Sequence, residues 1–490
     1  MLGVPALFSI GYGNIGSSIY YGLGVVAMVA LGATPIALGI AGIIYIFNAL
    51  TYAEGSAMIP EGGGSASYAR IGFNDLAGFI SGWALMLSYI VTMAISAYTV
   101  PPYLAYFWPA LKEPVASPAL SMGIIVFLMA VNVLGVRESA KLNIVFIVLD
   151  IITQVALIIA GTLLLLIPHP AVLLQNMFGA GNWPSTGNLI FGITLAALCF
   201  TGVESVAQQG EETRQPEKKM PQAYILMTVA VLVLFAGISL TALTAMSPQA
   251  LGDPVTGWAR DPVAGIANGI SQVILPEELA EQISSQVEMV IVLTWVFAGI
   301  RDALPVLVAV LAATILVVAT NAGLLGMSRL TYNLAWQRQI PAVMGHVHHR
   351  FRTPYIAIIL FCLITLLLLV PGFFSTVFFS DLGALYVFGS LLTFALAHAS
   401  IISLRVRRPD LPRPFKLGPN IKVRGREWPV TAILGLGSTS VIWLVMVIIQ
   451  PYSRWVGLIW MMAGFGLYYL YRRRSGMPLP GGGGKPVEPR

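Results

Sequence analysis

Apolar residues in this chain run on without alternating with polar ones. Residues 142–167 (LNIVFIVLDIITQVALIIAGTLLLLI) hold one acidic side chain in 26 positions, long enough at ~1.5 Å per residue to cross a hydrocarbon core of about 30 Å. Comparable runs predict twelve spans, at 4–31, 35–59, 76–108, 119–136, 142–167, 188–209, 222–246, 303–328, 355–370, 376–404, 428–450 and 453–471, numbered 1 to 12 below. They read as helices, because lipid cannot satisfy exposed backbone groups and an open sheet would leave its edges unpaired. The expected fold class is an all-α polytopic membrane protein with twelve transmembrane helices. A further apolar stretch, 287–300 (VEMVIVLTWVFAGI), is too short to span. It is placed as an interfacial or re-entrant helix on the outer face.

Composition agrees. The 490 residues are 57% hydrophobic and 10% charged, where a soluble protein carries about a quarter charged residues; soluble readings are excluded. The net charge of +6 would suggest nucleic acid, but its distribution points to a membrane: 23 of 27 basic residues fall on one set of loops, and only Lys112, Arg260, Arg301 and Arg454 on the other. The basic loops are read as cytoplasmic, with both termini inside a plasma-type membrane. The N-terminus enters an apolar run without a basic leader and reads as a span rather than a signal peptide. Cys199 and Cys362 lie in apolar segments, which supports neither a disulfide framework nor a zinc site. His346, His348 and His349 sit in a basic loop without a clustered carboxylate or thiol and read as structural. No metal and no cofactor is expected.

Gly11, Gly13 and Gly16 spell the GxGxxG of dinucleotide sites. That motif needs a strand before it and a helix after it in a βαβ unit, and inside a membrane span it is refused. The glycines still matter. Residues 11–24 hold five glycines, two serines and an asparagine in 14 positions, which weakens a helix through backbone entropy and side-chain competition. A second interruption, Cys199-Phe-Thr-Gly-Val-Glu-Ser205, stands in span 6, five spans later. Paired interruptions in corresponding halves mark the midplane site of a transporter; close helix packing is the bland alternative.

Several segments carry a family likeness. Ile15-Gly-Ser-Ser-Ile-Tyr20, Tyr52-Ala-Glu54 with Ile59-Pro-Glu-Gly-Gly-Gly-Ser-Ala-Ser-Tyr-Ala-Arg70, and Gly135-Val-Arg-Glu-Ser-Ala-Lys141 are three of them. Phe200-Thr-Gly-Val-Glu-Ser205 with Glu211–Pro221, and Ser328-Arg-Leu-Thr-Tyr332 followed by Ile340-Pro341 and Thr353-Pro354, complete the set. Together they resemble the amino acid–polyamine–organocation superfamily of permeases with the leucine-transporter fold. The resemblance covers spans 1 to 10 and does not choose a substrate. It implies a 5+5 inverted repeat with helices 1 and 6 broken, two further C-terminal helices, and alternating access in which spans 1, 2, 6 and 7 rock against a scaffold including 3, 4, 8 and 9. It also implies that Gly16, Ser17 and Ser18 bind the substrate carboxylate, bordered by Ile15. Backbone around Cys199, Phe200, Thr201 and Gly202 receives the amino group, and Phe200 gates. Ser18 departs from the family's usual glycine, and Thr201 stands where relatives vary.

On this reading the chain divides into 1–167 (first repeat), 168–187 (outer loop) and 188–404 (second repeat, with an outer insertion near 247–302). A basic loop at 405–427, helices 11 and 12 at 428–471 and a disordered tail at 472–490 follow. Ionisable residues inside the membrane are functional candidates because they are costly there. Glu204 matches a glutamate implicated in proton sensing in exchangers of the superfamily, or else braces the broken helix. Asp150, where some relatives carry a lysine, is a candidate ligand for Na⁺ or H⁺ together with Thr320 and Asn321. Glu54, Asp381 and His398 read as structural; Tyr89, Thr92 and Tyr386 are weaker candidates to line the pathway. The expected function is secondary active transport of amino acids, neutral ones favoured, coupled to H⁺ or Na⁺ or by exchange. The rivals are a potassium-type uptake permease (Asn14 stands where such a site would use an acid), a nutrient sensor and a membrane-embedded enzyme. The partners are an amino acid, the coupling ion and the bilayer, with oligomeric state open.

Overall fold

The computed structural model describes residues 2–135, 140–274, 288–375, 377–423 and 425–478. Ten helical stretches among them are long and apolar enough to cross a membrane. One, Val4–Met58, contains the first two expected spans. At 55 residues it is far too long for a single crossing, and it divides at Leu31, whose φ of 47° leaves the helical region. Thr34 Oγ1 donates to Leu31 O across this corner, and Pro35 starts the next helix, Thr34–Met58. The segment of expected span 12 forms a 24-residue helix, Pro451–Arg474, that falls outside the ten because its polar face is rich in Tyr and Arg.

The spans form an inner and an outer layer. In the apolar central stretch of Asp75–Leu104 (span 3) 94% of the residues are buried within the protein, in that of Thr186–Ala207 (span 6) 78% and in that of Phe378–Arg407 (span 10) 72%. Val430–Ile449 (span 11), at 28%, turns most of its surface outward, where lipid would cover it. Water does not drive helices together inside a bilayer, so close approach of small residues must. Gly389 of span 10 accordingly lies on Ser88 and Ala84 of span 3, and Gly326 of span 8 lies on the Tyr89 ring. Span 12 is stapled to span 3 by a reciprocal pair: the stacked Trp83 and Trp460 rings each donate an indole N–H to the other's carbonyl oxygen, at 2.8 and 2.9 Å.

Two boundaries differ from expectation. Residues 288–300 continue without a break into Glu288–Trp336, a single 49-residue helix, and do not turn back as a re-entrant segment. Residue 287 and the preceding 275–286 lie outside the described residues, as does 136–139 of the loop after span 4. Helix 12 extends into the expected tail: Arg472 is helical, pairs with Asp75 at 3.1 Å and donates to Pro478 O. Residues 479–490 are not described.

At one end of the bundle, helix Pro262–Ile274 buries Val263, Ile266, Ala267 and Ile270 against the spans. It is fastened by the Lys112–Asp261 ion pair at 2.8 Å and by Arg260, which donates to Ser117 Oγ and covers the Tyr98 ring. Burial pushes the Asp261 carboxyl above its usual range, and Lys112 and Arg260 pull it back. On the opposite side, spans 10 and 11 are joined by a loop containing an antiparallel hairpin, β1 (Asn420–Val423) and β2 (Arg426–Pro429).

Candidate substrate site between spans 1 and 6

In span 1 the glycine run serves mainly close packing. A side chain at Gly22 would collide with Cys199 of span 6, and one at Gly24 with the backbone of Ala259 in the outer loop. The expected break is a tightened turn: Val4–Ile15 passes through a 3-10 turn at Gly16–Ser18 into Ile19–Ala30, with φ,ψ staying helical at Gly16 (−60°, −35°) and Ile19 (−64°, −30°). The serines explain why it does not open. Ser17 Oγ donates to Asn14 O at 3.1 Å, with Ser18 Oγ reaching the same carbonyl at 3.5 Å and bonding Tyr21 Oη at 3.0 Å.

Span 6 is open in fact. Thr186–Ala196 tightens at Ala197–Phe200, Thr201 becomes extended (−89°, 155°), and Gly202 takes φ 111°, a conformation that strains any residue with a Cβ. The helix resumes at Glu204. Glu204 Oε2 accepts from Gly202 N at 3.1 Å, and the carboxylate also bonds its own backbone N–H. The acid therefore satisfies the Gly202 N–H that the break frees and places its charge in the first turn of the resumed helix.

The two interruptions meet. Gly202 lies on Asn14 and Ile15, with ideal Cβ distances of 3.0–3.2 Å, so the backbones are nearly in contact. Ile15, Ser17, Ser18, Cys199, Phe200 and Thr201 are at most 3% exposed, and Gly16 and Gly202 are also buried, closing the region to both faces. Phe200 is sandwiched between Tyr45 of span 2 and Phe235 of span 7, at ring distances of 5.3 and 5.4 Å. The Tyr386 hydroxyl faces Thr201 and Thr92, whereas Tyr89 packs on Gly326. Asn14, unremarked as a site residue from sequence, has both side-chain amide atoms buried without a partner against the span 6 break.

Asp150 of span 5 accepts from Tyr12 Oη at 3.1 Å, from Tyr20 Oη and from Gln154 Nε2 at 2.9 Å. The two tyrosines stand four residues either side of Gly16, so this acid clamps the span 1 turn. Thr320 and Asn321 are engaged elsewhere: Thr320 Oγ1 donates to Leu316 O, and Asn321 Oδ1 accepts from Asn132 Nδ2 at 2.6 Å. The hydrogen-bond donors found on Asp150 are thus tyrosines and a glutamine, while Thr320 bonds its own helix and Asn321 bonds span 4. Of the residues read as structural, Glu54 is forked by the buried Arg405 of span 10, and His398 bridges Thr51 and Asn48. His348 Nδ1 accepts from Arg350 N and Phe351 N in its loop. Among the described residues no three His, Cys, Asp or Glu gather as a metal site.

Comparison with known proteins follows this geometry. The chain is 28% identical to a branched-chain amino acid permease of Bacillus subtilis, covering 96% of this chain and 93% of that one. It is 27% identical to the large neutral amino acids transporter small subunit 2 of Rattus norvegicus, covering 90% and 74%. It is also 26% identical to a methylthioribose transporter of Bacillus subtilis, covering 94% and 91%. A family description, amino acid permease, matches residues 2–468, nearly every helix described above, and the chain belongs to that amino acid permease family of multi-pass membrane transporters.

Proposed function

We propose that this chain carries neutral amino acids with apolar side chains by alternating access, the amino acid bound between Gly16–Ser18 and Cys199–Gly202. The observation that carries this reading is that both acids beside the site are already engaged. Glu204 is turned onto its own backbone and Asp150 is held by two tyrosines and a glutamine. A charged substrate side chain needs a free counter-charge in so dry a place, whereas an apolar one fits beside the Phe200–Tyr45–Phe235 stack. Two of the relatives are named for branched-chain and large neutral amino acids, which supports the same class. The closed 3-10 turn in span 1 is the occluded form; opening it frees backbone N–H groups for the substrate carboxylate.

Phe200 stacks on spans 2 and 7, which agrees with spans 1, 2, 6 and 7 moving together against the others. Donors rather than acceptor oxygens surround Asp150, which suits a proton better than Na⁺ as the coupling ion. The excess of basic residues on one set of loops supports a cell-membrane protein with both termini on the cytoplasmic side. A second reading, a neutral sugar thioether, draws support from the methylthioribose relative.

Uptake into proteoliposomes decides between these. Labelled leucine, valine, arginine, glutamate and methylthioribose are offered under separately imposed pH and Na⁺ gradients. Accumulation of leucine and valine driven by the pH gradient, and abolished by Ser17→Trp, is the expected result. Preference for arginine or glutamate would overturn the neutral class, transport of methylthioribose alone would establish the second reading, and a strict Na⁺ requirement would remove the proton.

A further inference from the structure

Away from the transport path, the loop joining spans 10 and 11 encloses a cavity of about 480 Å³ lined by Arg405, Arg407, Arg413, Lys416, Arg426 and Glu427. Its charge is mostly uncompensated. Lys416 pairs with Glu427, and Arg405, 3% exposed, is forked onto Glu54 while holding Leu417 O and Asn420 Oδ1. These pairs cancel and fix the floor. Arg413 spends its terminal nitrogens on the carbonyl oxygens of Leu404, Arg408, Pro409 and Leu411, which shape it without neutralising it, and its Nε is buried without a partner. Glu54, Glu427 and Asp410 act on it only through space, and the first two are already paired with Arg405 and Lys416. Arg407 rests on the Phe73 ring rather than on an acid, and Arg426, exposed, makes no ion pair among the described residues. Three cations therefore share one cavity.

Position says what they face. Span 10 ends at Arg407 and span 11 begins at Val430, so the cavity lies between two helix ends at the height of the lipid headgroups. The hairpin beside it exposes Ile421 (57%) and Val423 (48%) next to these basic groups, the pairing of apolar and cationic side chains suited to a membrane interface. We infer that this cavity holds the phosphate of an anionic membrane lipid, with Arg407 and Arg426 as its ligands and Arg413 contributing its charge through space. Because Arg405 forms the floor and also grips Glu54 of span 2, lipid bound here braces the inner ends of spans 2 and 10 together.

The test uses the purified full-length chain in neutral detergent, with thermal unfolding followed by tryptophan fluorescence. Short-chain phosphatidylglycerol, short-chain phosphatidylcholine and free glycerol phosphate are titrated separately. Phosphatidylglycerol should raise Tm, and the other two should not at equal concentration. In Arg407→Gln/Arg426→Gln the midpoint of the phosphatidylglycerol effect should weaken roughly ten-fold or more, at ~1 kcal/mol per basic residue near an anionic surface. Arg426→Gln alone, which breaks no ion pair, should show part of that loss with an unchanged lipid-free Tm. Equal stabilisation by phosphatidylcholine, or an undiminished response in both variants, would overturn the site. An equal response to glycerol phosphate would reassign it to a soluble phosphate ester.

Discussion

Spans 1 and 6 each carry an interruption steadied by a buried carboxylate, yet the two are steadied in opposite ways. In span 1 the backbone stays helical, and Asp150 grips it from another helix through the Tyr12 and Tyr20 hydroxyls. In span 6 the backbone opens, and Glu204 grips it from within, through the Gly202 N–H that the opening released. A clamp on a neighbouring helix can be released by changing that neighbour. A cap inside the break can be released only by moving the break itself. On the proposed mechanism, this difference predicts that the span 1 turn changes its backbone during transport while the span 6 break keeps its own as the two move together.

Gly202→Val strikes hardest at that contrast. It adds a branched side chain at φ 111° against Asn14 and Ile15, which should cost about 3 kcal/mol or more; melting should fall steeply and uptake should vanish. Near-normal melting would mean that span 6 can close as span 1 does. Next comes Glu204→Ala, which leaves the Gly202 N–H buried and unpaired at ~1–3 kcal/mol. Glu204→Gln keeps an acceptor oxygen and should recover most of that loss in a melt, while leaving the pH dependence of uptake intact. A Gln variant that is stable but has lost its pH response would make Glu204 a coupling group instead of a brace.

Asp150→Asn should cost about 1–2 kcal/mol through weakened tyrosine bonds, and leucine uptake should no longer follow an imposed pH gradient. Gly16→Ala, whose new methyl presses on the Tyr12 ring, should resemble it more mildly. If both variants still concentrate substrate under a pH gradient, the clamp is structural. The smallest effect belongs to Tyr103→Phe. Its hydroxyl joins Tyr20 O at 2.8 Å to Val263 N of the outer helix, and its loss should cost about 1 kcal/mol and slow uptake modestly.

Hydropathy made the spans legible, because twenty apolar residues in a row have few alternatives. The span 6 break was legible as well, since Thr201-Gly202 followed by an acid combines a permissive backbone with its own cap. Span 1 was over-read: glycines report that a backbone is permitted to open, and here the hydroxyls of Ser17 and Ser18 decide that it does not. The tyrosine partners of Asp150 and the arginine partner of Glu54 were beyond reach, for they lie 130 or more positions away along the chain and depend on how helices rotate against one another. The continuation of 288–300 into one long helix is not legible in apolar length, because length alone does not say where a helix stops.

The burial of Cys199 has a practical consequence. The chain has two cysteines, Cys199 pressed against Gly22 at the junction of spans 1 and 6, and Cys362 inside span 9, both with no exposed surface. A water-soluble thiol reagent would find neither while the protein stays shut. The unaltered sequence thus carries its own position sensor, in which the rate of labelling at Cys199, with and without substrate, reads how often the passage opens and toward which side.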